Sequence, residues 1–141
     1  MKVLTWLALA CLVGCSSGSS ECPPSALIRE PFVFRLADIA GRDAYDCGFV
    51  PLAVEPLSAL ACVDKRLEDK HPFLIGIELQ GIDSRVWNGI AADAAGRLSY
   101  VTFDSDVEGR MCNNPRIVVT RCASISLPEK GGRTFRCVET T

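Results

Sequence analysis

Six cysteines after residue 20 constrain the fold of this chain more than any other feature. They are spread widely through its 141 residues, and the shortest gap between neighbours is the ten positions from Cys112 to Cys122. Structural zinc sites use cysteine pairs roughly two to four residues apart, often with histidines, and this chain has one histidine. The spacing therefore favours a disulfide framework of up to three bridges, whose connectivity the sequence leaves open. The candidates are Cys22, Cys47, Cys62, Cys112, Cys122 and Cys137.

The first fourteen residues predict a secretory signal. One positive charge, Lys2, precedes an apolar segment at positions 3–13. This length matches the apolar part of a signal peptide, whereas a membrane-spanning helix needs roughly 20 residues. Export would place the cysteines in an oxidising compartment, where disulfides form and persist.

The end of this segment, Leu12-Val13-Gly14-Cys15, resembles the lipobox of bacterial lipoproteins. The resemblance covers only the first sixteen or so residues. It implies that Cys15 is acylated, becomes the first residue of the mature chain after cleavage at Gly14, and anchors the protein in a lipid membrane. By the sorting habit of Gram-negative lipoproteins, Ser16 favours the outer membrane. An ordinary secretory signal, or a lipobox centred on Cys11, is the alternative.

This reading divides the chain into three parts. They are a signal peptide at 1–14, a lipidated tether rich in serine, glycine and proline at 15–25, and a single domain at 26–141. Without Lys2, 14 basic residues face 17 acidic ones, which gives a formal charge of −3. A mildly acidic chain without a basic stripe is not expected to bind nucleic acid.

The pattern of apolar residues predicts one helix and several strands. Leu57, Leu60, Val63 and Leu67 form an apolar stripe at helical spacing within residues 56–70. Residues 37–54 carry glycines, Pro51 and charges, and they are expected to be irregular. Strands are predicted at 31–36, 73–80, 85–92, 97–103, 116–122 and 133–138, and residues 73–80 alternate as if one face of that strand were wet.

This order predicts an α+β domain, in which one helix packs on a four- to five-stranded antiparallel sheet braced by disulfides. Cys62 lies on the predicted helix, so it is expected to tether that helix to a loop or to the sheet. The last hairpin is expected to place Cys122 and Cys137 roughly opposite each other.

One acidic loop resembles part of a calcium site. Asp104, Asp106 and Glu108 occupy alternate positions before Gly109, as in the first half of an EF-hand loop. The position of the final bidentate carboxylate is Pro115, so the pattern is incomplete. An acidic turn between strands is the leading interpretation, and a Ca2+ site is the alternative; no other cofactor is predicted.

Catalysis has little support in the sequence. His71 is the only histidine and follows the predicted helix beside a proline, so any Ser-His-Asp triad depends on it. Glu78, Asp83 and Asp104 are the acids that the predicted sheet could bring together for paired-carboxylate chemistry. Nothing in the sequence singles them out from other surface acids. The protein is therefore expected not to be an enzyme, and a small hydrolase is the alternative.

A candidate partner-binding patch is centred on Arg85 and Trp87, because tryptophan and arginine dominate interface hot spots when they are exposed. Packing in the core is the competing reading of Trp87. The segment from Arg85 to Gly89 distantly resembles the inhibitory Q-x-V-x-G hairpin of cystatins, although only Gly89 matches. That resemblance implies a protease inhibitor as a further alternative.

Taken as a whole, the sequence predicts an envelope lipoprotein with a binding or structural role. The expected partners are the lipid membrane, through acylated Cys15, and an envelope protein. A calcium- or ligand-binding periplasmic module that uses the loop from Asp104 to Gly109 is the second hypothesis.

Overall fold

The computed structural model describes residues 29–107, 114–129 and 131–140. These residues form a six-stranded sheet with one helix on each face, and the sheet order follows the chain order from β1 to β6. The first two strands are parallel and all other neighbouring pairs are antiparallel. The elements are α1 (Glu30–Ala40), β1 (Tyr45–Val50), α2 (Leu57–Asp69), β2 (Phe73–Leu79), β3 (Val86–Ala92), β4 (Leu98–Asp104), β5 (Arg116–Ser126) and β6 (Arg136–Glu139).

The α+β class and the disulfide bracing are confirmed, but the number of elements was wrong. The strand predicted at 31–36 is part of helix α1, in which Phe32, Leu36 and Ala40 recur every four residues and are all buried. Pro31 stands in the first turn, where its missing N–H leaves no helical hydrogen bond unmade.

The segment predicted to be irregular contains strand β1. This strand lies beside β2 in parallel, and α2 supplies the crossover that a parallel pair requires. The sheet is consequently mixed rather than purely antiparallel.

Two apolar clusters lie on opposite faces of the sheet. One contains Val63 of α2 with Phe73, Ile75 and Ile77 of β2, and the other contains Phe32 of α1 with further core residues. Because a helix covers each face, β2 is buried on both, and the wet face predicted for residues 73–80 does not exist.

Two glycines let α1 approach the sheet closely. Gly76 of β2 and Gly89 of β3 are directly paired. A Cβ at Gly89 would overlap the carbonyl oxygen of Ile75 and would lie 2.8 Å from Leu36 Cδ1 and 2.9 Å from Phe32 Cζ. Only a residue without a side chain fits between this strand and the helix.

Two disulfides connect the edges of the sheet to their neighbours. Cys47 of β1 is bonded to Cys62 of α2, with the Cα atoms 5.7 Å apart, and Cys122 of β5 is bonded to Cys137 of β6, with the Cα atoms 5.4 Å apart. The expectation that Cys62 tethers its helix to the sheet is therefore confirmed. The last hairpin brings Cys122 and Cys137 together as expected, although the strand register pairs Cys122 with Glu139 and Cys137 with Ile125. Cys22 and Cys112 lie outside the described residues.

Peptide mapping tests this connectivity. Digestion of the unreduced protein should release peptides linked through Cys47–Cys62 and through Cys122–Cys137, and reduction should separate each pair. The measurement is mass spectrometry of digests prepared at acidic pH, which suppresses thiolate exchange. Finding Cys47 linked to either cysteine of the β5–β6 pair would contradict the structure.

Arg133 ties the loop between β5 and β6 to the rest of the fold. Its Nε atom donates to the Glu78 carbonyl at 2.9 Å, and its Nη atoms donate to the carbonyls of Val50, Pro51 and Val54 at 3.3, 2.7 and 2.7 Å. Its own carbonyl accepts a hydrogen bond from Asn88 Nδ2 at 3.0 Å. One side chain thus links the ends of β1 and β2 to a loop near the other end of the chain.

Candidate functional site

Two openings lie at opposite ends of β2. We call the first the Glu78 cleft, a depression of about 220 Å3 lined by Leu52, residues 78–84 and Arg85. We call the second the α2 groove, a depression of about 490 Å3 between the C-terminal end of α2 and the β3–β4 turn. The second falls within the range of roughly 300–1,000 Å3 typical of small-molecule sites, and the first lies below it.

The Glu78 cleft is built around a buried ion pair. Glu78 is 3 % exposed, its Oε1 atom lies 2.9 Å from Arg85 Nη1, and its Oε2 atom accepts a hydrogen bond from the Leu52 N–H at 3.1 Å. Both carboxylate oxygens therefore have donors, as a buried charge requires. These bonds attach the β1–α2 loop to the end of β2, so the pair acts as a structural connection.

The structure does not assemble the acids and the histidine that hydrolysis would need. Asp83 lines the Glu78 cleft, but His71 lines the α2 groove at the other end of β2. The five residue steps from Phe73 to Glu78 span roughly 17 Å, because a strand rises about 3.3 Å per residue. His71 is thus too far from Glu78 for direct proton exchange.

The α2 groove has an apolar floor and one basic wall. The floor is made by Leu67 of α2, Phe73 of β2, Ala92 of β3 and Leu98 of β4. Arg66, Lys70 and His71 line the wall at the end of α2, and the opposite wall consists of the small residues Ala94, Ala95 and Gly96.

The basic wall is shaped by an unusual helix end. Lys70 has φ 55° and ψ 34°, and it is the one non-glycine residue with positive φ within the described ranges. Helices commonly end on glycine in this conformation, because a Cβ atom is unfavourable there. The Arg66 guanidinium carbon lies 4.0 Å from the centroid of the Tyr45 ring, which holds this side chain beside the groove.

The acid nearest to the opposite wall is Asp93, and its negative charge is compensated by hydrogen bonds and an ion pair within its own turn. The backbone N–H of Arg97 donates to Asp93 Oδ1 at 3.0 Å and lowers the pKa of this carboxyl below its usual value, against an opposing effect of burial. The Arg97 side chain, with Nε 2.6 Å from Oδ2, and the Ala95 N–H at 2.9 Å lower it further. Asp93 therefore stays ionised and directs its charge at Arg97.

The acidic loop that resembled a calcium site is only partly described. Asp104 ends β4 and its Oδ1 atom accepts a hydrogen bond from the Asp106 N–H at 3.0 Å, while the Asp106 side chain is buried. Glu108 and Gly109 lie outside the described residues. Within 29–107, 114–129 and 131–140, no three histidine, cysteine, aspartate or glutamate side chains are grouped as metal ligands would be.

Trp87 is a core residue, and the predicted patch with Arg85 does not form. The indole is 1 % exposed and packs against Phe32, with ring centroids 6.1 Å apart. The exposure that partner binding required is absent at Trp87, since α1 covers this face. Gly89 lies in the middle of β3 beneath the same helix, so it does not belong to an inhibitory loop of the cystatin kind.

Sequence reasoning missed the two residues that matter most for these openings. In the sequence, Lys70 is only the last residue of the range 56–70 that contains the predicted helix, and Arg133 is only the first residue of the strand predicted at 133–138. The preference for glycine after a helix could have drawn attention to Lys70, whereas no local pattern marks Arg133.

Within the described residues no helix has the length and apolarity to cross a bilayer. Cys15 and its lipobox lie outside these residues.

Comparison with known proteins identifies no relative of this chain. Searches of protein-family models, of curated proteins and of solved structures found no match to it.

Proposed function

We propose that the chain is a lipid-anchored protein of the bacterial envelope with a binding or structural role and no catalytic one. The observation that carries the proposal is the pairing of four of the six candidate cysteines into two disulfides. Such pairs persist in exported proteins and are rare in the cytosol. Together with the apolar leader and the resemblance of residues 12–15 to a lipobox, they favour export followed by acylation of Cys15.

Anchoring at Cys15 would hold the domain close to a membrane surface. Two or three acyl chains, at about 0.8 kcal/mol per buried CH2 group, make such an anchor stable, whereas a single chain is marginal. Residues 15–25 are the expected tether. A domain placed in this way meets membrane lipids and other envelope proteins, which are the partners that we propose for it.

Metabolic labelling tests the anchor. Cells that express the full chain are grown with an alkyne-tagged fatty acid, and the protein is then isolated and reacted with a fluorescent azide. We expect labelling of the unchanged chain and complete loss of labelling in Cys15→Ser, because the thiol that carries the lipid is gone. Membrane density fractionation of the same cells should place the unchanged chain with the outer membrane.

Cys11→Ser is the matched control. It removes a cysteine from the same apolar leader, and it should leave labelling unchanged because Cys11 departs with the signal. Persistent labelling of Cys15→Ser, or loss of labelling in Cys11→Ser alone, would contradict the assignment of the anchor to Cys15.

A further inference from the structure

The charges around the α2 groove are unbalanced. Among the described residues, the ion pairs join Arg35 to Asp38, Arg85 to Glu78 and Arg97 to Asp93. None of them involves the basic wall of the groove. The opposite wall, Ala94 to Gly96, carries no side-chain charge, and the neighbouring Asp93 is directed at Arg97.

Arg66 and Lys70 are the two residues at the end of α2 that bring a positive charge to the groove. Arg66 lies in the last turn of α2 and Lys70 is the residue that follows the helix, and both side chains line the groove. The Arg66 side chain is kept near by the Tyr45 ring, and His71 extends the wall. An anion that enters here meets donors with no carboxylate partner within the described ranges.

Lys70 occupies a position where glycine would relieve the backbone. Its left-handed conformation disfavours any residue with a Cβ atom. A lysine at this position keeps an ammonium group at the rim of the groove although its backbone conformation is unfavourable. Residues with such strained backbone cluster at ligand sites.

The floor of the groove suits a hydrocarbon chain. Leu67 of α2 and Leu98 of β4 are partly exposed and present apolar surface to the groove, and they pack on the buried cluster that contains Phe73. The volume of about 490 Å3 suits one chain of moderate length. The groove thus combines an apolar floor with a cationic rim at one side.

We propose that the α2 groove binds a single-chain amphiphile with a carboxylate head, such as a medium-chain fatty acid. The hydrocarbon chain lies along the apolar floor, and the carboxylate accepts hydrogen bonds from Lys70 and Arg66 at the rim. The proposal does not rest on acylation of Cys15, since the groove is formed entirely by residues 66–98.

Photocrosslinking to the full chain tests this proposal in whichever cell fraction contains the protein. The probe is dodecanoate that carries a diazirine and a terminal alkyne, added to isolated material without an acyl donor and activated by light. We expect saturable labelling of peptides that contain residues 66–73 and 92–98. Excess dodecanoate should suppress this labelling, whereas acetate and dodecyltrimethylammonium should not, because one lacks the chain and the other lacks the anionic head.

Lys70→Gly separates binding from folding. Glycine suits the left-handed conformation, so we expect the melting temperature of the variant to stay the same or rise. Loss of one charge-assisted hydrogen bond should raise the half-saturating probe concentration about tenfold. Lys65→Ala is the matched control, because it removes an exposed charge from the same helix outside the groove, and it should leave labelling unchanged.

Three results would overturn the proposal. The first is labelling spread evenly over the exposed surface. The second is equal competition by dodecanoate and dodecyltrimethylammonium, which would indicate partition into any apolar surface. The third is an unchanged half-saturating concentration in Lys70→Gly. Failure of Cys15→Ser to alter acylation would instead reject the anchor and leave the groove proposal standing.

Discussion

Replacing Arg133 with alanine is expected to lower the free energy of unfolding by about 3 kcal/mol. The guanidinium donates to four backbone carbonyls, those of Val50, Pro51, Val54 and Glu78. Hydrogen bonds from a charged donor each contribute more than neutral ones, although partial exposure of this side chain reduces the sum. The measurement is urea unfolding with the disulfides intact, followed by the fluorescence of Trp87, the one tryptophan after residue 14.

Two further variants separate the geometry of Arg133 from its charge. Arg133→Lys keeps the charge but loses the planar fork, so it should recover less than half of the lost free energy. Arg136→Ala removes an exposed arginine from the adjacent strand and should change stability by less than about 0.5 kcal/mol. Equal effects of Arg133→Ala and Arg136→Ala would show that the four hydrogen bonds do not stabilise the fold.

The role of Arg133 illustrates what sequence patterns cannot provide. Its partners Val50 and Pro51 are 83 and 82 positions away. Carbonyl groups are present at every residue, so no side-chain pattern indicates which of them an arginine will reach. By contrast, a local hairpin was enough to predict that Cys122 and Cys137 lie roughly opposite each other, although the disulfide connectivity stayed open.

The two helices show the same division between local and tertiary information. Helix α2 was predictable because its apolar stripe is continuous and polar residues fill the other side. Helix α1 was missed because Phe32 and Phe34 are two residues apart, as in a strand, yet Phe34 is 70 % exposed and only Phe32 is buried. Alternation of two aromatic residues was therefore a poor guide to burial.

That single error affected the candidate site. Without α1, one face of β2 and β3 would be exposed to solvent, and Trp87 would be available on that face to bind a partner. Helix α1 covers Trp87 and Gly89 together. The α2 groove, in turn, depends on bringing α2 beside the β3–β4 turn, and the spacing of residues along the chain does not determine that contact.

Gly89→Ala is expected to cost about 4 kcal/mol of stability, a large share of the roughly 5–15 kcal/mol of a typical domain. The new methyl group would meet the Ile75 carbonyl oxygen, which belongs to the backbone of the neighbouring strand, as well as the side chains of Leu36 and Phe32. Backbone atoms cannot move aside without separating β2 from β3. The same urea unfolding experiment measures the loss.

Gly76→Ala is the matched comparison, because Gly76 is the residue paired with Gly89 across the two strands. The atoms nearest to its added Cβ belong to the side chains of Phe49 and Phe32, which can rotate, so we expect a smaller loss of about 2 kcal/mol. Adding Phe49→Leu should recover part of that loss, whereas it should not help Gly89→Ala. If Gly89→Ala is no more destabilising than Gly76→Ala, the contact with the Ile75 carbonyl oxygen adds nothing to the cost of a side chain beneath α1.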